Sequence, residues 1–117
     1  MGGYQWHNFV FPALVVLFFA WRFWRFHRVR KELPELLRQG ALVVDVRSPG
    51  EFAAGSRPGS LNIPLEQLNT RHGELDRSRP IVLCCASGTR SGMAAMVLKR
   101  HGFRVVNAGP WTNTLTS

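Results

Sequence analysis

Two adjacent thiols, Cys84 and Cys85, close the apolar run Ile81–Leu83, and Ala86-Ser87-Gly88-Thr89-Arg90-Ser91 follows them. A cysteine is a good nucleophile only as its thiolate, and an unperturbed thiol is mostly protonated at neutral pH. The residues that follow are of the types that correct this. Small side chains let the backbone curl around one atom, so that loop N–H groups and the start of a helix near Ser91 point at the sulfur. Gly88 permits backbone angles that other residues resist. Ser87, Thr89 and Ser91 add hydroxyl donors, and Arg90 adds positive charge. Such a loop acidifies a thiol and cradles an incoming oxyanion. Four residues separate Cys85 from Arg90 and five separate Cys84 from it, and the two spacings belong to different chemistries. Successive strand side chains face opposite sides, so only one of the two thiols can face the cradle.

The surrounding sequence supplies elements to hold this loop. Ala41–Val46 is continuously apolar apart from Asp45, which suits a strand covered on both faces, and Arg79-Pro80-Ile81-Val82-Leu83-Cys84-Cys85 reads as a second such strand. Arg104 to Gly109 reads as a third, and Leu61–Ile63 as a shorter one. A short helix is expected before Gly40. Ser48 as cap and Pro49 as first residue announce another. Leu65, Leu68 and Leu75 mark a weak helical stripe. The stretch from Arg90 to Phe103 is the most helix-like, closed by basic residues and Gly102 as its stop. Strands and helices alternate without a hairpin signal. The expected fold class is therefore α/β, a central and mostly parallel sheet flanked by helices and preceded by one hydrophobic N-terminal helix. Reactive groups in such sheets collect beyond the carboxyl ends of the strands. Asp45 and Arg47 lie at one such end, Cys84 and Cys85 at another, and Asn107 at a third. Asp45 and Arg47 read as a buried pair supporting the loops, with substrate contact as the alternative.

The 117 residues carry a net charge of +8, unevenly spread. Residues 1–31 hold Arg22, Arg25, Arg28, Arg30 and Lys31 without an acid, whereas residues 32–117 hold ten basic and seven acidic side chains. The basic cluster follows an apolar run, Phe9 to Trp21, instead of lying on a folded face. That is a membrane signature, and no nucleic-acid partner is expected. Residues 4–24 as a helix would span about 31 Å, matching a hydrocarbon core of about 30 Å. Tyr4 and Trp6 at one end, with Trp21 and Trp24 at the other, resemble paired aromatic belts. Arg22 can snorkel to the headgroups, and Pro12 falls in the first helical turn. An interfacial helix and a cleaved signal peptide are the alternatives, the latter opposed by the absence of Lys or Arg before the run. Positive charge on the C-terminal side places the domain in the cytoplasm, a single-pass arrangement in a compartment that keeps both thiols reduced. Two units follow: residues 1–31, a transmembrane helix with a basic juxtamembrane segment, and residues 32–117, the folded domain. Adjacent cysteines cannot staple distant segments. The scattered histidines His7, His27, His72 and His101 offer no metal site, and no cofactor is expected.

Cys85-Ala86-Ser87-Gly88-Thr89-Arg90-Ser91 resembles the active-site loop of the rhodanese family of sulfurtransferases in its single-domain form. Three further segments resemble that family in the same order: Asp45 to Gly55, Gly55 to Leu65, and Val105 to Trp111. The resemblance spans roughly Glu32 to Trp111. It implies the rhodanese fold, with Cys85 as the catalytic residue that accepts a sulfane sulfur as a persulfide. Residues Ala86, Ser87, Gly88, Thr89, Arg90 and Ser91 would form the substrate-binding loop. The partners would be a small sulfur donor such as thiosulfate and a thiol or cyanide-like acceptor, with a protein thiol as a further acceptor class. The family usually has an apolar residue before its nucleophile, which assigns Cys84 to packing. The Cys84 spacing instead matches cysteine-dependent phosphatases, and a non-catalytic binding module of the same fold is the other alternative. Ser56 and Arg57 stand where the family commonly has His and an aliphatic residue. Pro110 replaces a common glycine.

Overall fold

The computed structural model describes residues 7–115. Four parallel strands form one sheet: β1 (Leu42–Asp45), β2 (Leu61–Asn62), β3 (Ile81–Cys85) and β4 (Val105–Pro110), in the order β2-β1-β3-β4. The helices are α1 (His7–Arg38), α2 (Pro49–Ala54), α3 (Leu65–Arg71) and α4 (Thr89–Arg100). Short 3-10 turns cover His72–Glu74 and Trp111–Leu115.

Period-two alternation along β3 divides the interior. Ile81, Leu83 and Cys85 face the layer of α3 and α4, packing with Val44, Leu68, Ala94 and Leu98. Val82 and Cys84 face the opposite layer, where Val29 and Leu33 of α1 cover them together with Val43 and Ala108. Every residue of β3 is buried, as expected for a central strand of a parallel sheet covered on both faces.

The structure departs from the sequence expectations at three places. The short helix expected before Gly40 is the end of α1, which runs without interruption through Pro12 and Pro34 and across the expected boundary at residue 31. Pro12 is accordingly the sixth residue of the described helix and not in its first turn. Pro34 is tolerated because the neighbouring Leu33 and Leu37 anchor this part of α1 on the sheet, so packing offsets the missing N–H. Helix α4 starts at Thr89, two residues before Ser91, because Gly88 caps it in a left-handed conformation (φ 101°). Thr89 and Arg90 therefore belong to the first helical turn. The weak stripe of Leu65, Leu68 and Leu75 yields a helix only to Arg71, after which a tighter turn delivers Leu75 to the core.

Helix α1 has two distinct parts. All residues from Asn8 to Trp21 are exposed, whereas Arg22 and Phe26 are half-buried, Val29 is buried and Leu33 is completely so. The spacing of four, three and four is one helical face, and it begins at Arg22. Among the described residues α1 is the one helix long and apolar enough to cross a bilayer. Tyr4 and Trp6, the aromatic residues expected at its outer end, lie outside the described residues. Helix α1 runs antiparallel to the strands, so its apolar part projects from the edge where they end. The molecule is consequently elongated, 64 by 31 by 29 Å.

Candidate active site

The end of β3 and the start of α4 bring the loop expectations to one point. Cys85 is fully buried, and its sulfur receives the Gly88 N–H at 2.8 Å. The Ser91 hydroxyl lies 3.4 Å from the same sulfur. Ser91 Oγ also donates to Asn107 Oδ1 at 2.6 Å, and that oxygen accepts the Gly109 N–H at 2.9 Å. A hydroxyl has one proton to donate. It serves Asn107 while Cys85 is a thiol and can turn to the sulfur when the thiolate forms, leaving Asn107 Oδ1 still held by Gly109. Burial pushes the Cys85 thiol up, but the hydroxyl and N–H of Ser91 and the N–H groups of Gly88 and Ser87 outweigh it, so the thiol is more acidic than an ordinary cysteine.

Cys84 has the opposite surroundings. It is buried on the α1 side of the sheet, beside Asp45 in the strand register. Burial, and then the nearby Asp45 carboxylate, push its thiol up to about 12. The two neighbours in sequence thus differ in acidity because the pleat sends one to a ring of donors and the other into packing.

Two glycines make the loop geometry possible. Gly88 needs a left-handed backbone, and a Cβ there would lie 3.0 Å from both Arg22 Nη2 and Phe26 Cζ. Gly109, also left-handed at φ 76°, faces the Phe26 ring so closely that a Cβ would approach it to 2.8 Å. A register shift between Leu83 and Cys84 in the β3–β4 pairing sets Leu83 opposite Asn107 but Cys84 opposite Gly109, re-aiming the chain beside the site.

Arg90 does not point at the sulfur. Its two terminal nitrogens pair with the carboxylate of Glu51 at 2.7 and 2.9 Å. Arg90 and the Ser48 N–H hold the Glu51 carboxyl down at about 2. Glu51 also completes the capping box of α2, accepting from the backbone of Ser48 at 3.1 Å. Sequence reasoning named Ser48 as the cap but missed Glu51, although Ser-Pro-Gly-Glu carries the capping-box spacing. It missed Arg22 and Phe26 as neighbours of the loop. It also placed Asn107 at a strand end without assigning it a contact.

Asp45 and Arg47 form a buried pair, with Arg47 Nε 2.9 Å and Nη2 2.8 Å from the two carboxylate oxygens. Arg47 Nη2 also donates to the Gly55 carbonyl at 2.6 Å, and its guanidinium lies 5.0 Å from the centre of the Trp111 ring. The pair ties β1 to the loop after α2. Ala86, Ser87 and Thr89 are exposed at the rim, and Ser91 is buried at the floor. Of the three unusual positions, Arg57 donates to the Thr114 carbonyl, Ser56 sits half-buried beside it, and Pro110 ends β4. Pro110 lines a cavity of about 240 Å³ with Phe23, Phe26, His27 and Arg30. No cluster of three metal-binding side chains occurs among the described residues.

The chain resembles known proteins over its folded part. The rhodanese-like domain model matches residues 29–109. The uncharacterised protein YqhL of Bacillus subtilis is 37% identical over 97 residues, covering 80% of this chain and 76% of that protein. The thiosulfate sulfurtransferase GlpE of Pseudomonas syringae is 35% identical over 79 residues, 67% of this chain and 74% of the relative. A crystal structure of a rhodanese-related protein from Thermoplasma volcanium superposes with a TM-score of 0.65 at 31% identity, covering 74% of this chain and 86% of that one. The central parallel sheet, its flanking helices and the matched residues agree: this chain belongs to the family of rhodanese-like domains.

Proposed function

We propose that the protein is a membrane-anchored sulfurtransferase that carries a sulfane sulfur on Cys85. The observation that carries this reading is the Gly88 N–H and the Ser91 hydroxyl converging on one buried sulfur. The Cys85 thiolate attacks the outer sulfur of thiosulfate. The S–S bond of the donor breaks, its electron pair leaves with sulfite, and Cys85 keeps the sulfur as a persulfide anion. An acceptor thiolate then attacks the terminal sulfur, forming its own persulfide and returning Cys85 as thiolate. In both steps the charge stays near the sulfur, where fixed N–H groups stabilise it without reorganising. Arg90, restrained by Glu51, positions the first turn of α4 and the loop that precedes it. Asp45 and Arg47 keep the neighbouring loops in place.

Cys84 is a poor nucleophile in this setting, which speaks against phosphatase chemistry through the wider spacing. The sulfurtransferase names of the relatives support a sulfur donor and an acceptor in general, and one of those names specifies thiosulfate. Within that frame the acceptor we propose is a thiol, a cyanide-like nucleophile or a protein thiol. The exposed apolar part of α1 supports a single-pass anchor, and Arg22, Arg25, Arg28, Arg30 and Lys31 after it support a cytoplasmic domain.

Intact mass after thiosulfate treatment tests the chemistry. A gain of about 32 Da, the mass of one sulfur atom, is expected in wild type and Cys84→Ser and not in Cys85→Ser. An adduct lost only in Cys84→Ser would reverse the assignment, and no adduct in wild type would remove the transferase reading. Carbonate extraction of membranes tests the anchor, with release into the supernatant as the contrary result. Protease protection in sealed vesicles tests the orientation.

A further inference from the structure

The charged groups on the elements around Cys85 are largely paired with one another. Arg90 of α4 holds Glu51 of α2, and Arg47 holds Asp45 at the end of β1. Cys84, the next thiol along β3, faces the other layer. Arg22 of α1 is different. Its Nη2 donates to the backbone carbonyl of Ser87, in the middle of the loop, and its guanidinium lies 5.0 Å from the centre of the Phe26 ring.

The Ser87 carbonyl belongs to the same peptide unit as the Gly88 N–H, and that N–H donates to the Cys85 sulfur at 2.8 Å. A cation on the carbonyl end withdraws electron density from the peptide and strengthens the donor at its nitrogen end, as hydrogen bonds in a chain polarise one another. The cation also adds favourable Coulomb energy for a thiolate or persulfide anion in a site screened from water. Arg22 itself lies outside the matched family segment, which begins at residue 29.

We propose that Arg22 is a positioning residue for the sulfur chemistry. Through the Ser87–Gly88 peptide it makes Cys85 a better anion, and it thereby ties the reactivity of the thiol to the seating of α1 on the domain. The inference rests on Cys85 being the reactive thiol. Its physical consequence is direct. Arg22 is the first charge after the apolar stretch and the first residue of the packed face of α1, so the element that enters the bilayer also completes the electrostatics of the site. A chain whose helix lifts from the loop retains the fold and Cys85 but loses one contributor to its acidity.

The test is the pH dependence of Cys85 alkylation by iodoacetamide, read by intact mass and peptide mapping on the full chain in detergent micelles. This readout requires no turnover. Arg22→Met is expected to alkylate roughly three- to tenfold more slowly at pH 7, with the wild-type rate regained at alkaline pH where the thiol is fully ionised. Arg22→Lys should recover much of the loss, because it restores the cation. Phe26→Ala, which removes packing without removing charge, should shift the profile less than Arg22→Met. Should Arg22→Met fail to fold, Arg22→Gln carries the same expectation, since it keeps an N–H donor without the charge. An unshifted profile in the folded uncharged variant would overturn the inference. So would equal shifts in that variant and Phe26→Ala, or no recovery in Arg22→Lys. A wild-type chain that forms no persulfide yet shows these shifts would defeat the sulfurtransferase reading and leave the role of Arg22 standing.

Discussion

Ser91→Ala isolates one donor to the Cys85 sulfur. Both residues are fully buried, so solvent does not take the place of the lost hydroxyl. A hydrogen bond to a charged group contributes about 1.5–3 kcal/mol, and the 3.4 Å contact argues for the lower end. At 1.36 kcal/mol per pKa unit, about 1.5 kcal/mol raises the thiol pKa by about one unit. The sign follows from which form is bound: the hydroxyl supports the thiolate, so its removal shifts ionisation to higher pH. Alkylation at pH 7 should fall about tenfold, while the rate at alkaline pH stays close to wild type because the thiolate itself is unchanged. Asn107 Oδ1 keeps the Gly109 N–H and is not orphaned. Ser91→Thr, which keeps the hydroxyl, should remain near wild type. An unmoved profile would remove the Ser91 hydroxyl as a donor to the thiolate, and so would a fully ionised thiol slowed as much as it is at pH 7, since that result means the loop has collapsed.

Three further outcomes follow from the geometry. Gly109→Ala places a Cβ 2.8 Å from the Phe26 ring at φ 76°, which should cost about 1–2 kcal/mol for the backbone and about 1–3 kcal/mol for the overlap. Chemical denaturation of Gly109→Ala with Phe26→Ala should show the overlap part relieved and the backbone part retained, and strictly additive losses would contradict the contact. Arg47→Met leaves the Asp45 carboxylate buried without its partner and should destabilise the domain by about 3–5 kcal/mol in the same assay; a loss under about 1 kcal/mol would show that Asp45 finds another partner or a proton. Glu51, held down at about 2, keeps its pairing with Arg90 above the ordinary carboxylate range and loses it only as pH falls toward 2. The acid limb of alkylation above pH 4 is therefore due to Cys85. It should persist in Glu51→Gln, and its disappearance would assign the limb to the carboxylate.

Much of this fold is legible in local pattern because local pattern is what selects elements. The uninterrupted apolar runs before Asp45 and Cys85 read as doubly covered strands, and the structure has them as β1 and β3 in the middle of the sheet. The alternation of side chains along a strand placed the two thiols on opposite faces before any packing was known. Ser48 and Pro49 announced α2, and Gly102 marked the stop of α4. Boundaries were less legible. Helix α4 starts earlier because Gly88 adopts a left-handed cap, and α1 passes through Pro34 because its neighbours are pinned by the sheet.

Residue type and spacing over a few positions are enough to pick out the small-residue loop around Cys85 and the strand that delivers it. Which charges meet depends on contacts between positions far apart in the chain. Arg90 finds Glu51 39 residues away, and Arg22 reaches Ser87 across 65 residues. Arginines in a run of basic residues have equivalent local patterns. The face of α1 that lands on the sheet is selected by Val29 and Leu33 fitting against Val43, Val82 and Ala108, and that landing places Arg22, ahead of the other cations, against the loop.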